Sequence, residues 1–324
     1  MLRTKLTELL GIDHPIVLGG MASGTNTSLV AAVSAAGGLG VLGATNSSPE
    51  QVAEAAVEVR RATDRPFGLN LLLFLIGGPI PEAVVDAVLR TRPRVFSTAW
   101  GDPARYVEPA HRAGALVMHM VATADDAARA VESGVDVIVA QGTEGGGHVG
   151  HVSTIALVPA VVDAARGRPV VAAGGIADGR GLAAALMLGA DGVLMGTRFL
   201  ATPEAPVPPS YKQAIVEASL TDTVFTQIPD LAPEVRWPGA LSRVLRNRFV
   251  ERWLGREEEL RRRGAEAGQA AAEARARDDR EEMKLFAGQS SGLIGSIEPA
   301  GQVVRRVSAE AEAILRDRLP QLVG

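Results

Sequence analysis

The chain has no cysteine. Disulfide bridges, thiolate metal sites and a cysteine nucleophile are therefore excluded. It also lacks any long basic run and its net charge is −4, so nucleic acid is not an expected partner. The opening residues, MLRTKLTELLGIDHP, form a short amphipathic turn with no apolar core, and they do not read as a secretory signal. The most apolar stretch, Leu29 to Ala44, is broken by Gly37-Gly38 and reads as a helix followed by a strand. A membrane span needs about 20 apolar residues in one run. No His, Asp and Glu stand at metal-ligand spacing, so no metal is expected. No GxGxxG follows a strand, so a separate dinucleotide-binding unit has no fingerprint. A soluble, cytoplasmic protein is the expectation that these absences leave.

What is present is a regular alternation. Apolar runs predict strands over Pro15–Gly20, Leu39–Ala44, Phe67–Leu73, Val95–Trp100, Ala115–Val121, Val135–Ala140, Pro169–Ala173 and Gly192–Met195. Helical patterns lie between them, with caps expected from Asn26 to Ser28 and at Thr123 and Asp178, with Ser47-Ser48-Pro49-Glu50 opening another helix, and with a loop at Gly77-Gly78-Pro79. Most of the strands are continuously apolar, as a parallel sheet buried on both faces requires. Eight such βα steps predict a closed (β/α)8 TIM barrel, with an open doubly wound sheet as the alternative. A chain of 324 residues holds such a barrel, typically about 250 residues, and an accessory piece.

The pattern changes at Thr202-Pro203. Pro203, Pro206, Pro208, Pro209, Pro229, Pro233 and Pro238 crowd the next stretch, Leu241–Leu254 reads as helical, and Glu257–Lys284 is a charged helical stretch rich in alanine. That stretch fits a solvated helix held by i,i+4 Glu–Arg pairs, or a face toward a partner subunit. Val303–Leu319 reads as an amphipathic helix that closes the chain. The expected organisation is a barrel made of residues 1–202 and 285–324, with 203–284 as a mainly helical lid.

In a TIM barrel the chemistry sits at the C-terminal ends of the strands, with phosphate over strands seven and eight. The sixth strand runs into QGTEGGGHVG, residues 141–150, which brings bare backbone and one imidazole, His148, to the rim. Imidazole titrates near neutral pH, so His148 is the candidate acid or base. His14 and His119 read as structural, His111 as solvated, and His151 as either. Glu144 either pairs with a cation or faces water. The seventh and eighth strands end in Gly174-Gly175 and Met195-Gly196-Thr197, two glycine turns one βα unit apart that suit a phosphate.

GGM at 19–21, AAVSAAGGLGVLGA at 31–44, GLN at 68–70, QGTEGGGH at 141–148, AAGGIADG at 172–179, MGTRF at 195–199 and AGQSSG at 287–292 together resemble the nitronate monooxygenase family. The flavin-dependent enoyl-ACP reductases of type II look similar at nearly every one of these motifs. The resemblance implies an FMN-dependent TIM barrel with its phosphate over Gly174-Gly175 and Gly196-Thr197, and with Met195 in the same cofactor set. It implies that Asn70 and Gln141 bond the flavin ring or ribityl chain. Gly20-Met21 and Gly146 would lie along the ring, and Gln289 and Gly292 would close the site. Where other members often have EAGGH, this chain reads EGGGH, residues 144–148. Residues 203–284 match no family motif.

The implied activity is oxidation of an alkyl nitronate, or of the neutral nitroalkane, by O2 to a carbonyl compound and nitrite. The alternative is an NAD(P)H-dependent reductase of an enoyl thioester or a quinone. A non-catalytic flavoprotein or scaffold is a third class. Barrels like IMP dehydrogenase share the phosphate turns but need a nucleophilic cysteine, which this chain lacks. A homodimer is the expected assembly.

Overall fold

The computed structural model describes residues 2–75, 78–231, 237, 239–318 and 321–322. Gly77, Pro233, Pro238 and Leu319, named above, lie outside them. Eight parallel strands form one sheet: β1 (Ile16–Leu18), β2 (Gly40–Gly43), β3 (Phe67–Leu72), β4 (Val95–Ala99), β5 (Leu116–Val121), β6 (Val137–Gln141), β7 (Val170–Ala173) and β8 (Gly192–Met195). Their hydrogen-bonded order is β1-β8-β7-β6-β5-β4-β3-β2. The ring closes because Leu18 N donates to Leu39 O and Leu39 N to Ile16 O, both at 2.9 Å. The fold is thus a TIM barrel rather than an open sheet.

Alternation along each strand divides the core in two. Val17, Val41, Val95, Met118, Val137, Val139, Val171 and Leu194 face one interior cluster with Leu6, Leu10 and Ile12. Leu6 and Leu10 belong to α1 (Lys5–Leu10), which plugs the N-terminal end of the barrel beside Gly192, the first residue of β8. The alternate residues, such as Phe96, Val117, Ile138, Ala172 and Val193, face the surrounding helices.

Those helices are α2 (Thr27–Ala35), α3 (Pro49–Ala62), α4 (Glu82–Arg90), α5 (Ala104–Arg112), α6 (Ala124–Glu132), α7 (Thr154–Ala164) and α8 (Gly179–Met187). The expected caps Asn26, Thr123 and Asp178 are present, Ser48 caps α3, and each accepts from first-turn amides. Each such cap stabilises its helix by about 1 kcal/mol. The helix that completes the ring after β8 comes much later in the chain. After α9 (Thr197–Leu200) and the accessory residues, α15 (Ala300–Ala313) returns to pack between α8 and α2. Glu310 takes the Gly179 amide at 3.0 Å and Ser308 bonds His14 Nδ1 at 2.9 Å, which fixes that return. The accessory segment is therefore inserted between a barrel strand and its own helix.

The insertion contains α10 (Pro209–Glu217), α11 (Ile228–Leu231), α12 (Arg248–Trp253), α13 (Glu257–Arg262) and α14 (Gly264–Ala276). It departs from the expectation in two places. Leu241–Leu245 is not helical. It is the central strand of a three-stranded antiparallel sheet, between Thr223–Thr226 and Gly147–Val149. Strand pairing overrides a helical pattern that only the residues from Arg248 onward fulfil. The charged stretch is also not one helix, since it breaks at Arg263, between α13 and α14, and α14 ends at Ala276. Its Glu–Arg pairs are mostly exposed and spaced i,i+3 or i,i+4, for example Arg256–Glu259 and Arg263–Glu266. A small core of Ile228, Val244, Phe249, Trp253 and Leu260 holds the insertion together.

Candidate active site

The rim residues fall into a continuous arc because their strands are neighbours. Ala173 lies opposite Gln141 of β6 and Leu194 of β8, so the turns that follow these strands are adjacent. Met195 lies opposite Leu18, and Gly19 N donates to Met195 O at 3.0 Å. Gly20, Met21, Gly174, Gly175, Met195, Gly196 and Thr197 thus stand side by side at the C-terminal end of the barrel. Gly174 and Gly175 have φ of +104° and +74°, a left-handed pair that side chains disfavour.

Gln141 continues the inward series Val137, Val139 and so points into the barrel mouth. Its side-chain amide has no hydrogen-bond partner among the described residues. Asn70 is buried and tied at both ends: Nδ2 donates to Gly20 O at 3.3 Å, and Oδ1 accepts from Ser97 Oγ at 2.9 Å. It therefore locks the Gly20 backbone to β3.

The C-terminal return closes over this arc. Gly288 N donates to Thr197 Oγ1 and Gln289 N to Glu144 O, both at 2.9 Å. A Cβ on Gly146 would lie 2.6 Å from Gly288 N, so that glycine is required by the chain's own backbone. Gly292 packs instead against Ser219–Leu220 of the insertion. Glu144 makes no ion pair among the described residues. Its carboxylate accepts from Thr154 N at 2.8 Å and from Thr154 Oγ1 at 2.8 Å, and so caps α7. The α8 end is similarly taken, since Asp178 accepts from the Arg180 and Gly181 amides and Glu310 from Gly179.

His148 lies on the edge strand Gly147–Val149 and is mostly buried. Its Nε2 is 2.7 Å from Asp230 Oδ1. Asp230 Oδ2 accepts from Ser242 Oγ at 2.8 Å. Ser242 is the cross-strand partner of His148 in the antiparallel sheet. The Trp237 ring stacks on the imidazole at 3.8 Å between centroids, and Phe286 lies at 6.0 Å. An ionised carboxylate accepts only, so Nε2 carries the proton and Nδ1 is left as an acceptor in the neutral ring. Nδ1 has no hydrogen-bond partner among the described residues. Lys284, held low in pKa by burial and raised in turn by Asp230, donates from Nζ to Pro229 O at 2.7 Å. Sequence reasoning reached His148 but missed Asp230, Ser242 and Trp237, all supplied by the insertion.

The other histidines are accounted for structurally. His119 faces the helices with Val117 and Val121, bonds Thr98 Oγ1 through Nδ1 at 2.8 Å, and is lowered to about 4 by burial. His111 is paired with Asp136 at 2.8 Å rather than merely solvated, and the His151 ring meets Phe225 edge-on at 5.4 Å. No group of three or more metal-ligating side chains occurs among the described residues. No helix among them is long and apolar enough to cross a membrane. A cavity of about 630 Å³ opens beside the rim. It runs from Gln141 past Trp100 and Met120 to Asp126 and Arg129 on α6. Trp100 also meets Trp237 edge-on at 5.7 Å, which joins the cavity wall to the His148 stack.

The family model for nitronate monooxygenase matches residues 3–76 and 79–310. The chain belongs to the nitronate monooxygenase family. Within it, similarity reaches proteins with different names. A (3aS,4S,5R,7aS)-5-hydroxy-7a-methyl-1-oxo-octahydro-1H-indene-4-carboxyl-CoA dehydrogenase of Mycobacterium tuberculosis is 42% identical over 255 residues, 78% of this chain and 68% of that protein. Its Rhodococcus jostii counterpart is spanned over 65% of its length, so the chain covers only about two thirds of these relatives. FabK from Thermotoga maritima superposes with a TM-score of 0.90 at 37% identity, covering 99% of this chain and 100% of that one. Nitroalkane oxidase from Streptomyces ansochromogenes gives 0.84 at 28% identity, covering 97% and 99%. The family member described here is thus an oxidoreductase whose barrel and insertion both have solved counterparts.

Proposed function

We propose that this chain is an FMN-dependent oxidoreductase acting on a carbon acid, taking an alkyl nitronate or nitroalkane with O2 to a carbonyl compound and nitrite. The observation that carries this reading is His148, an imidazole at the glycine-rich rim whose Nε2 is occupied and whose Nδ1 has no hydrogen-bond partner among the described residues. FMN would rest its phosphate on the backbone of Gly174-Gly175 and Met195-Gly196-Thr197. Gln141 and Asn70 would bond its ring or ribityl chain, Gly20, Met21 and Gly146 would lie along the ring, and Gln289 and Gly292 would belong to the closing segment. The residues present fit such a group: the Gln141 amide points into the mouth with no hydrogen-bond partner among the described residues, and two positive-φ glycines leave backbone bare beside it. The amides of α8 are not part of the fit, because Asp178 and Glu310 already hold them.

When bound, the flavin would supply the redox chemistry by which O2 oxidises the nitronate, an oxygen atom derived from O2 becoming the carbonyl oxygen as nitrite leaves. His148 accepts the α-proton of a neutral nitroalkane at Nδ1. A nitronate arrives without that proton, so His148 only orients it. Trp237 holds the ring plane while this happens.

A second reading, reduction of an enoyl thioester by NAD(P)H, is favoured by 37% identity to FabK across nearly the whole chain. In that direction His148 returns a proton to the α-carbon. One anaerobic experiment separates the two: the flavin absorbance of the purified protein is followed on adding NADH, NADPH or propyl nitronate. Bleaching by the nitronate with indifference to nicotinamide supports the first reading. Bleaching by NADH or NADPH alone supports the second, and absence of bound flavin defeats both.

A further inference from the structure

We infer that Asp230 is a positioning residue for His148, so that the insertion supplies half of an acid–base unit whose other half stands on the barrel rim. The inference deepens the carbon-acid reading above and rests on it for its kinetic consequence only.

Several contacts fix the arrangement. His148 Nε2 lies 2.7 Å from Asp230 Oδ1, and Ser242 Oγ donates to Oδ2 at 2.8 Å. Because Ser242 and His148 face each other across one antiparallel pair, a single register sets the distance between the two groups that grip the carboxylate. Asp230 is 7% exposed, and its main-chain amide bonds Gln227 O at 2.9 Å, so the carboxylate has little freedom of its own. Trp237 removes rotation of the imidazole about its remaining axis. Lys284, bonded to the carbonyl of Pro229, is a cation on which the Asp230 charge acts.

The consequence is a chosen tautomer. With Nε2–H donated to Asp230, Nδ1 is the basic atom. In the forward step the substrate C–H bond breaks and its electron pair stays on carbon. The proton forms an N–H bond at Nδ1, and Asp230 stabilises the resulting imidazolium. The insertion therefore influences chemistry without any of these contacts touching substrate.

The test reads the ring directly. Protein labelled with ¹⁵N-histidine is examined by long-range ¹H–¹⁵N correlation at pH 8.5, and the His148 signals are assigned by their loss in His148→Gln. The expected wild-type pattern is a protonated Nε2 and a bare Nδ1. Asp230→Asn keeps the shape but can donate as well as accept, and it is expected to move a measurable share of the ring to Nδ1–H. Asp230→Glu is expected to keep Nε2–H. In turnover, Asp230→Asn is expected to lose about 100-fold or more in kcat/KM on a neutral nitroalkane and only a few-fold on the preformed nitronate. A wild-type ring protonated at Nδ1, or a tautomer unmoved by Asp230→Asn, overturns the inference. The expected tautomer change without any nitroalkane or nitronate turnover leaves Asp230 in place and removes the substrate reading instead.

Discussion

His119 makes the barrel acid-sensitive in a way that can be isolated. Its ring is buried between β5 and the helices, and burial lowers its pKa from 6.5 to about 4. The charges of Asp126 and Asp102 oppose that shift without cancelling it. In the unfolded chain the ring titrates normally. Above pH 6.5 both states hold it neutral and its contribution to stability is complete. As pH falls from 6.5 toward 4, the unfolded state gains a proton that the folded state refuses, and stability is lost across that window. At about 1.4 kcal/mol per pH unit, the whole interval is worth about 3 kcal/mol, of which about 2 is lost by pH 5. The perturbation is His119→Gln, which can still bond Thr98 Oγ1 and does not titrate. Urea denaturation at pH 7.5, 6.5, 5.5 and 5.0 gives the midpoint for each protein. His14, lowered by burial beside α15, and the paired carboxylates contribute in both proteins and drop out of the difference. The variant is expected to be less stable at pH 7.5 and to close that gap by about 2 kcal/mol at pH 5.0. Parallel loss of stability in the two proteins between pH 7.5 and 5.0 would refute the reasoning.

Other consequences are more direct. His148→Ala is expected to retain flavin and to lose about 100-fold or more in turnover of a neutral nitroalkane; stopped-flow reduction checks it, and unchanged rates remove His148 from the chemistry. Gly146→Ala sets a methyl group 2.6 Å from Gly288 N. It is expected to cost about 1–3 kcal/mol and to raise proteolysis within residues 285–295. Arg198→Met removes a nearly unexposed guanidinium that donates to Ala201 O and Ser296 O, both at 2.7 Å. An expected loss of about 2–4 kcal/mol in urea denaturation follows from the two stranded carbonyls, while Glu298 keeps Arg306 at 3.1 Å. Tyr211→Phe removes the buried hydroxyl that donates to Phe286 O at 2.8 Å, and about 1–2 kcal/mol should go with it.

The barrel was legible because each of its strands buries both faces, and each is closed by a glycine, a cap or a proline that local chemistry dictates. The predicted strands therefore overlap the observed ones, and Gly192–Met195 coincides residue for residue. The same locality explains the rim: glycine turns after adjacent strands must be neighbours once the sheet is parallel. The insertion offered no such signal. TVFT at 223–226 and LSRVL at 241–245 are short, and the helical residues from Arg248 onward absorb the second into a longer pattern. Their pairing is decided only when Leu241–Leu245 meets Gly147–Val149.

That late pairing is also why the candidate base was visible and its partner was not. His148 follows three glycines at a strand end, where few roles are open to an imidazole. Asp230 sits 82 residues away in IPDL, a four-residue helix that nothing in the local sequence marks as reactive. The carboxylate becomes a partner only through a sheet that joins barrel and insertion. A site divided in this way lets the insertion vary while the glycine-rich rim stays the same. Relatives named for a nitroalkane oxidase, for FabK and for a CoA-ester dehydrogenase carry different names over similar chains. Exchanging residues 203–284 with the matching segment of the Thermotoga maritima FabK tests that division. The chimera is expected to keep the rim and flavin while shifting substrate preference. Unchanged preference would place specificity in the barrel mouth instead.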